Sequence, residues 1–162
     1  MTLRDRRSSA LVQHVSALRA AFHETHQAHP FNTVAVVILP DHLHWLCTLP
    51  EGDADFSSRI RLIKHGFTQR LLDAGIALAR DPRGEYKLWQ RRFWEHTIRD
   101  DADLQRHVDY IHYNPVKHGL VGAVKDWQHS SFHRHVRQGL LTEDWGGTAN
   151  AETTGQYGEP TP

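Results

Sequence analysis

Two histidines separated by one leucine, His42 and His44, are the first residues of this sequence with the chemistry of a functional site. A β-strand repeats every two residues, so both imidazoles would point to one side of a sheet. Two neighbouring imidazoles on a rigid strand make up two thirds of a metal site. The same pattern also suits two polar residues on a solvated sheet face, and His-x-His alone does not separate the two interpretations.

A second polar group falls on one predicted helix. At about 100° per residue, Asp103, His107, Tyr110 and Asn114 lie within roughly 60° of one another. The centre of the apolar stripe of this helix lies about 90° away by the same arithmetic, and that stripe comprises Leu104, Val108 and Ile111. Tyr110 and Asn114 therefore occupy a polar face beside the predicted core.

These residues suggest chemistry on a phosphodiester. A tyrosine phenol can attack phosphorus and form a covalent phosphotyrosine. A divalent metal held by His42, His44 and one amide oxygen would neutralise the phosphate and stabilise the leaving oxygen. Such a donor set is compatible with Mn²⁺ or Mg²⁺. The alternative for Tyr110 is a partly buried tyrosine at a contact between helix and sheet.

Length and composition fit one α+β domain. The chain has 162 residues, of which 39% are hydrophobic and 23% charged, as in ordinary globular proteins. We expect the domain to span residues 1–146 and the acidic tail, residues 147–162, to be disordered. The single cysteine, Cys47, fits a reducing cytoplasm. No apolar run approaches the length of about 18 residues that a membrane span needs, so we expect no membrane partner.

Charge is unevenly distributed along the chain. The formal net charge is zero, with 19 basic and 19 acidic residues. Four acidic residues and no lysine or arginine follow residue 140, so residues 1–140 carry 19 basic and 15 acidic residues, a net charge of +4. A mildly basic body permits a nucleic-acid partner without requiring one.

Periodicity predicts a mixed series of elements. We expect a helix from Ser8 or Ser9 to about residue 27 and strands at 34–39 and 42–49. A helix that Asp53 or Asp55 caps should follow, with a core stripe at Phe56, Ile60, Ile63, Phe67 and Leu71. Residues 73–87 read as a loop, and residues 88–99, rich in large aromatics, as a strand. A further helix opens at Asp100 and should stop at Pro115.

Four sequence blocks in a fixed order are specific. They are a His-Leu-His strand after Leu-Pro-Asp, then Ser-Ser-Arg-x-Arg-x-x-Lys, then Trp-Gln-x-Arg-Phe-Trp-Glu-His, and last Val-Asp-Tyr-Ile-x-x-Asn-Pro-Val-Lys-His-Gly. From about residue 2 to about residue 146 the chain resembles the REP-associated tyrosine transposases. These are bacterial relatives of single-tyrosine insertion-sequence transposases in the HUH endonuclease group.

The resemblance implies a ferredoxin-like α+β fold and an enzyme that nicks single-stranded DNA at REP hairpins. Such enzymes leave a 5′-phosphotyrosine and a free 3′-hydroxyl and can rejoin strands. Matched residue by residue, the nucleophile is Tyr110 rather than Tyr113, and the metal ligands are His42, His44 and Asn114. The candidate DNA contacts are Arg59, Arg61, Lys64, Gln90, Arg92 and His96. Members act as monomers or as homodimers.

The chain departs from the family at its start. Relatives carry a strand before the block that begins here at Thr2-Leu3-Arg4. In a ferredoxin-like sheet that first strand is central, so its absence would expose ladder groups on both neighbours. One alternative to the transposase is therefore a truncated or domesticated hairpin-binding protein without catalysis. Another is a metal-dependent nuclease that uses water, which shares the histidines but does not need Tyr110.

Overall fold

The computed structural model describes residues 1–146, and the predicted acidic tail at 147–162 lies outside the described residues. The helices are α1 (Ala10–Gln13), α2 (Val15–Ala28), α3 (Phe56–Asp73), α4 (Asp101–Lys117) and α5 (Phe132–Arg137), with a short 3₁₀ helix at Val124–Asp126. The strands are β1 (Asn32–Ile38) and β2 (Leu43–Thr48). None of the helices within residues 1–146 is long and apolar enough to cross a membrane.

β1 and β2 form a two-stranded sheet. The Leu39 N–H donates to the His42 carbonyl at 2.8 Å and closes the turn between them. So short a connection permits only an antiparallel pair. Helices with an antiparallel hairpin confirm the predicted α+β class, and they place the two histidines where β2 begins.

The chain divides into two compact units. The first contains Met1–Thr33, Ile38–Leu43 and Cys47–Phe93, and therefore α1, α2 and α3. The second contains Val34–Val37, His44–Leu46 and the described chain from Trp94 to residue 146, and therefore α4 and α5. The following description takes each unit separately.

The packing of α2 against α3 forms the core of the first unit. A Cβ added at Gly66 would lie 3.2 Å from the Ala21 Cβ, so a larger residue there would push the helices apart. The apolar period predicted for α3 is confirmed at Ile63, Phe67 and Leu71, which are buried. Other buried side chains of this unit are Leu3, Leu11, Leu18, Phe31, Ile38, Leu39 and Leu43.

Residues 1–4 lie extended between two segments of the first unit. On one side the Leu43 N–H donates to the Met1 carbonyl at 2.8 Å, and the Leu3 N–H donates to the Asp41 carbonyl at 2.7 Å. On the other side the Arg4 N–H donates to the Leu88 carbonyl at 2.9 Å, and the Gln90 N–H donates to Thr2. The backbone groups that we expected to be exposed beside His42 therefore have partners.

The predicted strand at residues 88–99 is wrong. Its one ladder contact is the isolated bridge between Leu3 and Trp89, and residues 92–99 have no regular secondary structure. Aromatic side chains favour strands because they pack on a pleated surface. Here Trp94 packs in a ring stack with His96 instead, so the same side chains hold an irregular segment.

Two predicted helix boundaries also need correction. The first helix is interrupted at His14, which ends α1 and begins α2. The last long helix does not stop at Pro115 but continues to Lys117. A proline removes one N–H from the helix ladder and crowds the carbonyl four residues earlier. Here the helix tolerates both effects and ends two residues later, where the His118 N–H donates to the Asn114 carbonyl at 3.0 Å.

A buried polar network joins α4 to β1 in the second unit. The His112 Nε2 lies 2.9 Å from the Ser131 Oγ, which also accepts from the Val36 N–H at 2.8 Å. Burial, followed by the nearby positive charge of His135 and Arg134, lowers the pKa of His112 to about 3. His112 is therefore neutral near pH 7 and serves as a hydrogen-bonding core residue.

Candidate active site

In the first unit, His42 is held by its neighbour Asp41. The His42 Nδ1 lies 2.9 Å from the Asp41 Oδ1, and His42 is 4% exposed. Because an ionised carboxylate can only accept, Nδ1 carries a proton and donates a hydrogen bond to Asp41, which makes Nε2 the ring nitrogen that could bind a metal. A histidine oriented by a carboxylate in this way is the common arrangement behind metal-binding imidazoles.

The Asp41 carboxylate is kept ionised by its surroundings. Burial alone would raise the pKa of Asp41, but the hydrogen bond and charge of His42, with the charge of Arg6, outweigh it and leave that pKa below its usual value. The Arg6 Nε lies 2.8 Å from the Asp41 Oδ2. Asp41 therefore remains an acceptor that fixes the orientation of the His42 ring.

In the second unit, the structure brings His44 and Tyr110 together. Their ring centroids are 5.3 Å apart with an interplanar angle of 86°, an edge-to-face contact. Tyr110 is 2% exposed, and Asn114, one helical turn further along α4, is completely buried. The predicted nucleophile and one predicted metal ligand are thus in contact, and a second predicted ligand, Asn114, lies on the same helix as Tyr110.

A cation that the sequence argument did not single out also contacts Tyr110. The Lys117 Nζ lies 3.2 Å from the Tyr110 hydroxyl and 4.7 Å from the centroid of its ring. Residues seven apart lie on the same helix face, so spacing alone would have identified Lys117. The predicted stop at Pro115 excluded it, because that stop ended the helix too early.

A stack of three rings lies at the start of α4. The planes of Trp94 and His96 are 3° from parallel with centroids 5.7 Å apart, and His96 stacks on His107 at 4.5 Å. The His96 Nε2 lies 2.7 Å from the Asp103 Oδ2, which also accepts from the Arg99 N–H at 3.1 Å. Asp103 therefore ties the irregular segment before α4 to the helix.

His96, Asp103 and His107 are also a possible metal group, because one ligand atom from each lies within 4.8 Å of the others. The His107 Nδ1 lies 2.8 Å from the Asp103 carbonyl oxygen, which can only accept, so Nδ1 carries the proton. The nearly parallel rings of His96 and His107 also keep their in-plane lone pairs in two separate planes, so these lone pairs do not meet at one point. This geometry suits a hydrogen-bonded cluster better than a coordination sphere.

The charge state of the cluster depends on Asp103. The hydrogen bond from His96 is the largest cause that lowers the pKa of Asp103 to about 2, and burial opposes it. The Arg106 guanidinium adds a contact at 3.3 Å. Asp103 is therefore an anion at neutral pH and attracts the surrounding donors.

One predicted DNA contact, Arg59, lies in the interior of the first unit. Arg59 is 2% exposed, and its Nη2 lies 2.6 Å from the Asp53 Oδ2. Its remaining donors reach the carbonyls of His29, Pro30 and Asp55. All of these hydrogen bonds hold the start of α3 in place. Arg59 therefore stabilises, from the interior, the helix that carries the other basic side chains.

The other predicted contacts of the first unit lie nearer the surface. Arg61 and Arg92 are exposed. The Lys64 ammonium donates to the Gln90 carbonyl at 2.9 Å and lies 5.7 Å from the ring centroids of both Trp89 and Phe93. Lys64 therefore links α3 to the segment that carries Gln90 and Arg92.

The donor set predicted for the metal fits a divalent cation chemically. His42 and His44 supply imidazole nitrogens, and Asn114 supplies an amide oxygen. Imidazole suits transition ions, whereas amide oxygen suits Mg²⁺ and Mn²⁺. The orientation of His42 by Asp41 adds the outer-shell contact that such ligands usually have.

Comparison with known proteins agrees with the sequence blocks. The family described as "Transposase IS200 like" matches residues 1–114. A Haemophilus influenzae protein assigned to the REP-associated tyrosine transposases is 47% identical over 158 residues, covering 96% of this chain and 89% of the relative. A REP-associated tyrosine transposase of Escherichia coli (strain K12) is 45% identical over 156 residues, covering 96% of this chain and 87% of the relative. The chain belongs to the IS200-like transposase family.

A solved structure shares both fold and sequence with this chain. It is a REP-associated tyrosine transposase bound to a REP hairpin, with a TM-score of 0.86 and 45% identity. The match covers 99% of this chain and 88% of the solved one. The predicted resemblance to this group of transposases and the predicted fold class are thereby confirmed.

The hydrogen bonds that Asp103 accepts from His96 and Arg99 lead to a prediction about stability. We expect Asp103→Asn to lower the midpoint of urea unfolding at pH 7, because the asparagine amide cannot replace an anionic acceptor for His96 and Arg99. A depressed pKa contributes stability above the unfolded value of 3.8, and this contribution is lost as the pH falls toward about 2. The difference between wild type and variant should therefore shrink over that interval.

Asp109→Asn on the same helix is the matched control. Burial raises the pKa of Asp109, so its ionised form is disfavoured by folding and its neutral replacement should not destabilise the protein at pH 7. Equal losses in both variants would show that Asp103 has no special role.

Proposed function

We propose that this protein is a DNA-nicking and strand-joining transposase that acts on single-stranded DNA at REP-type hairpins. Its family and its two curated relatives support the transposase class. The solved relative bound to a REP hairpin supports the choice of DNA partner. The observation that carries the proposal is the contact between His44 and Tyr110, in which the ring of a buried tyrosine packs edge-to-face against an imidazole.

Tyr110 is the proposed nucleophile. Its phenol oxygen attacks the scissile phosphorus, the bond between tyrosine oxygen and phosphorus forms, and the bond from phosphorus to the 3′-oxygen breaks. The products are a 5′-phosphotyrosine and a free 3′-hydroxyl. Rejoining reverses these steps when a 3′-hydroxyl attacks the phosphotyrosine.

The proposed metal ligands are His42, His44 and Asn114. When bound there, Mg²⁺ or Mn²⁺ would supply Lewis-acid stabilisation of the phosphate charge. Asp41 orients the His42 ring, and Asn114 lies one turn from the nucleophile on α4. The group of His96, Asp103 and His107 is the second candidate for metal binding, and it can be tested separately.

The proposed DNA surface follows α3 and the segment after it. Arg61, Lys64, Gln90 and Arg92 would contact the hairpin, with Arg59 supporting α3 from the interior. His96 contributes through the ring stack at the start of α4. Positive side chains along a DNA backbone give affinity that falls with salt concentration.

The nucleophile is tested on a labelled REP-type hairpin in Mn²⁺, with a denaturing gel to detect covalent adduct. We expect wild type and Tyr113→Phe to form the adduct and Tyr110→Phe to form none, since phenylalanine lacks the attacking oxygen. Tyr113 is the matched control because it lies on the same helix. An adduct with Tyr110→Phe would exclude Tyr110, free 5′-phosphate ends would indicate a hydrolytic nuclease, and binding without adduct in wild type would indicate a hairpin-binding protein.

The metal site is tested by Mn²⁺ titration calorimetry. We expect Asp41→Asn to weaken Mn²⁺ binding by about 10- to 100-fold, as outer-shell substitutions typically do, and His44→Ala to abolish it. His96→Ala is the control and should bind Mn²⁺ like wild type. If His96→Ala alone loses binding, the metal belongs to the cluster at the start of α4.

The DNA surface is tested by anisotropy of a fluorescent hairpin between 50 and 200 mM salt. We expect Arg92→Ala to weaken binding and to reduce the slope of log affinity against log salt by about 1, as loss of one phosphate contact does. Arg19→Ala, an exposed arginine on α2, removes the same charge outside this surface. Equal slopes for the two variants would mean that Arg92 makes no phosphate contact.

A further inference from the structure

Lys117 contacts the side chain that would carry out the reaction. The Lys117 Nζ is 3.2 Å from the Tyr110 hydroxyl, within hydrogen-bonding distance. It also lies 4.7 Å from the centroid of the same ring, in range for a cation–π interaction. Both contacts bring one positive charge to one buried phenol.

The path of α4 explains how this contact forms. Tyr110 and Lys117 are seven residues apart, two turns along one helix face. The contact exists only because α4 continues through Pro115 to Lys117. Lys117 is exposed whereas Tyr110 is 2% exposed, so the lysine stem spans from the surface to the phenol oxygen.

We propose that Lys117 is a catalytic residue that stabilises negative charge on the Tyr110 oxygen, above all when the phosphotyrosine bond breaks during rejoining. This inference rests on the proposed function, in which Tyr110 is the nucleophile. An ammonium donor at an oxygen that gains charge is a strong, charge-assisted hydrogen bond. Such preorganised donors act most when charge develops in the transition state.

The two directions of the reaction use Lys117 in the same way. In cleavage, the phenol proton passes to water, the tyrosine oxygen bonds to phosphorus, and the departing 3′-oxygen takes a proton from water. In rejoining, the 3′-oxygen bonds to phosphorus and releases its proton to water, while the tyrosine oxygen leaves with the bonding electron pair. Lys117 donates a hydrogen bond to this phenolate and keeps its proton throughout.

The main alternative explanation of these contacts is that Lys117 has a purely structural role. A cation in the last turn of a helix interacts favourably with the carbonyl ends of that helix. Such a role would affect unfolding but not the chemical step. The two roles therefore differ in which measurement a substitution changes.

The experiment uses the full chain, a labelled REP-type hairpin and Mn²⁺. Rates of adduct formation and of rejoining with an added 3′-hydroxyl strand are measured in single turnover, with hairpin Kd and thermal unfolding as companions. We expect Lys117→Met to slow rejoining by about 100-fold, the lower end of the loss that removal of one such donor causes, while Kd changes by less than threefold. Lys117→Arg should recover much of the rate, and Lys125→Met, an exposed lysine outside α4, should resemble wild type.

A fluorinated tyrosine incorporated at position 110 provides a second readout. A more acidic phenol is a better leaving group and depends less on the hydrogen bond from Lys117. The ratio of the rejoining rates of wild type and Lys117→Met should therefore be smaller with the fluorinated tyrosine. Three results would each overturn the role of Lys117. They are a rejoining rate of Lys117→Met within twofold of wild type, faster adduct formation in that variant, and a ratio of rejoining rates that the fluorinated tyrosine does not change. Absence of any adduct in wild type would instead overturn the proposed function, and with it this inference.

Discussion

The need of buried polar side chains for partners governs how α4 is built into the second unit. Asp103, His107, Tyr110, His112 and Asn114 are all buried on this one helix. A buried polar group without partners costs about 1–3 kcal/mol or more, so these side chains constrain what can pack beside them. Hydrogen bonds join Ser131 to His112, Lys117 to Tyr110, and His96, in the segment before the helix, to Asp103.

These partnerships divide α4 into two functional halves. At its N-terminal end, Asp103 and His107 hold the segment that carries Trp94 and His96 in place. This half of the helix has a structural role. Toward its C-terminal end, Tyr110 contacts both the His44 ring and the Lys117 ammonium, and this half carries the proposed chemistry. A helix with an ordinary apolar stripe could serve either purpose only from its surface, because its polar residues would face solvent.

Local periodicity predicted most of this architecture, and it failed where side-chain contacts outweighed backbone preference. The spacing of Ile63, Phe67 and Leu71 identified α3, and the face shared by Tyr110 and Asn114 identified the candidate site. The aromatic run that includes Trp94 was misread as a strand, since sequence spacing does not show that His96 and His107 provide a ring stack. Arg59 looked like a surface charge because its spacing cannot reveal the Asp53 carboxylate and the carbonyls that surround it.

The predicted helix stop at Pro115 is the error with the largest consequence, because it excluded Lys117 from α4. Pro115 cannot donate to the carbonyl of Ile111, so the helix lacks one ladder hydrogen bond immediately after Asn114. Tyr110 and Asn114 precede this point, whereas Lys117 follows it. The missing hydrogen bond therefore lies between Asn114, a proposed metal ligand, and Lys117. Lys117 reaches the phenol oxygen because α4 continues past this gap in its ladder, which a helix that stopped at Pro115 would not allow.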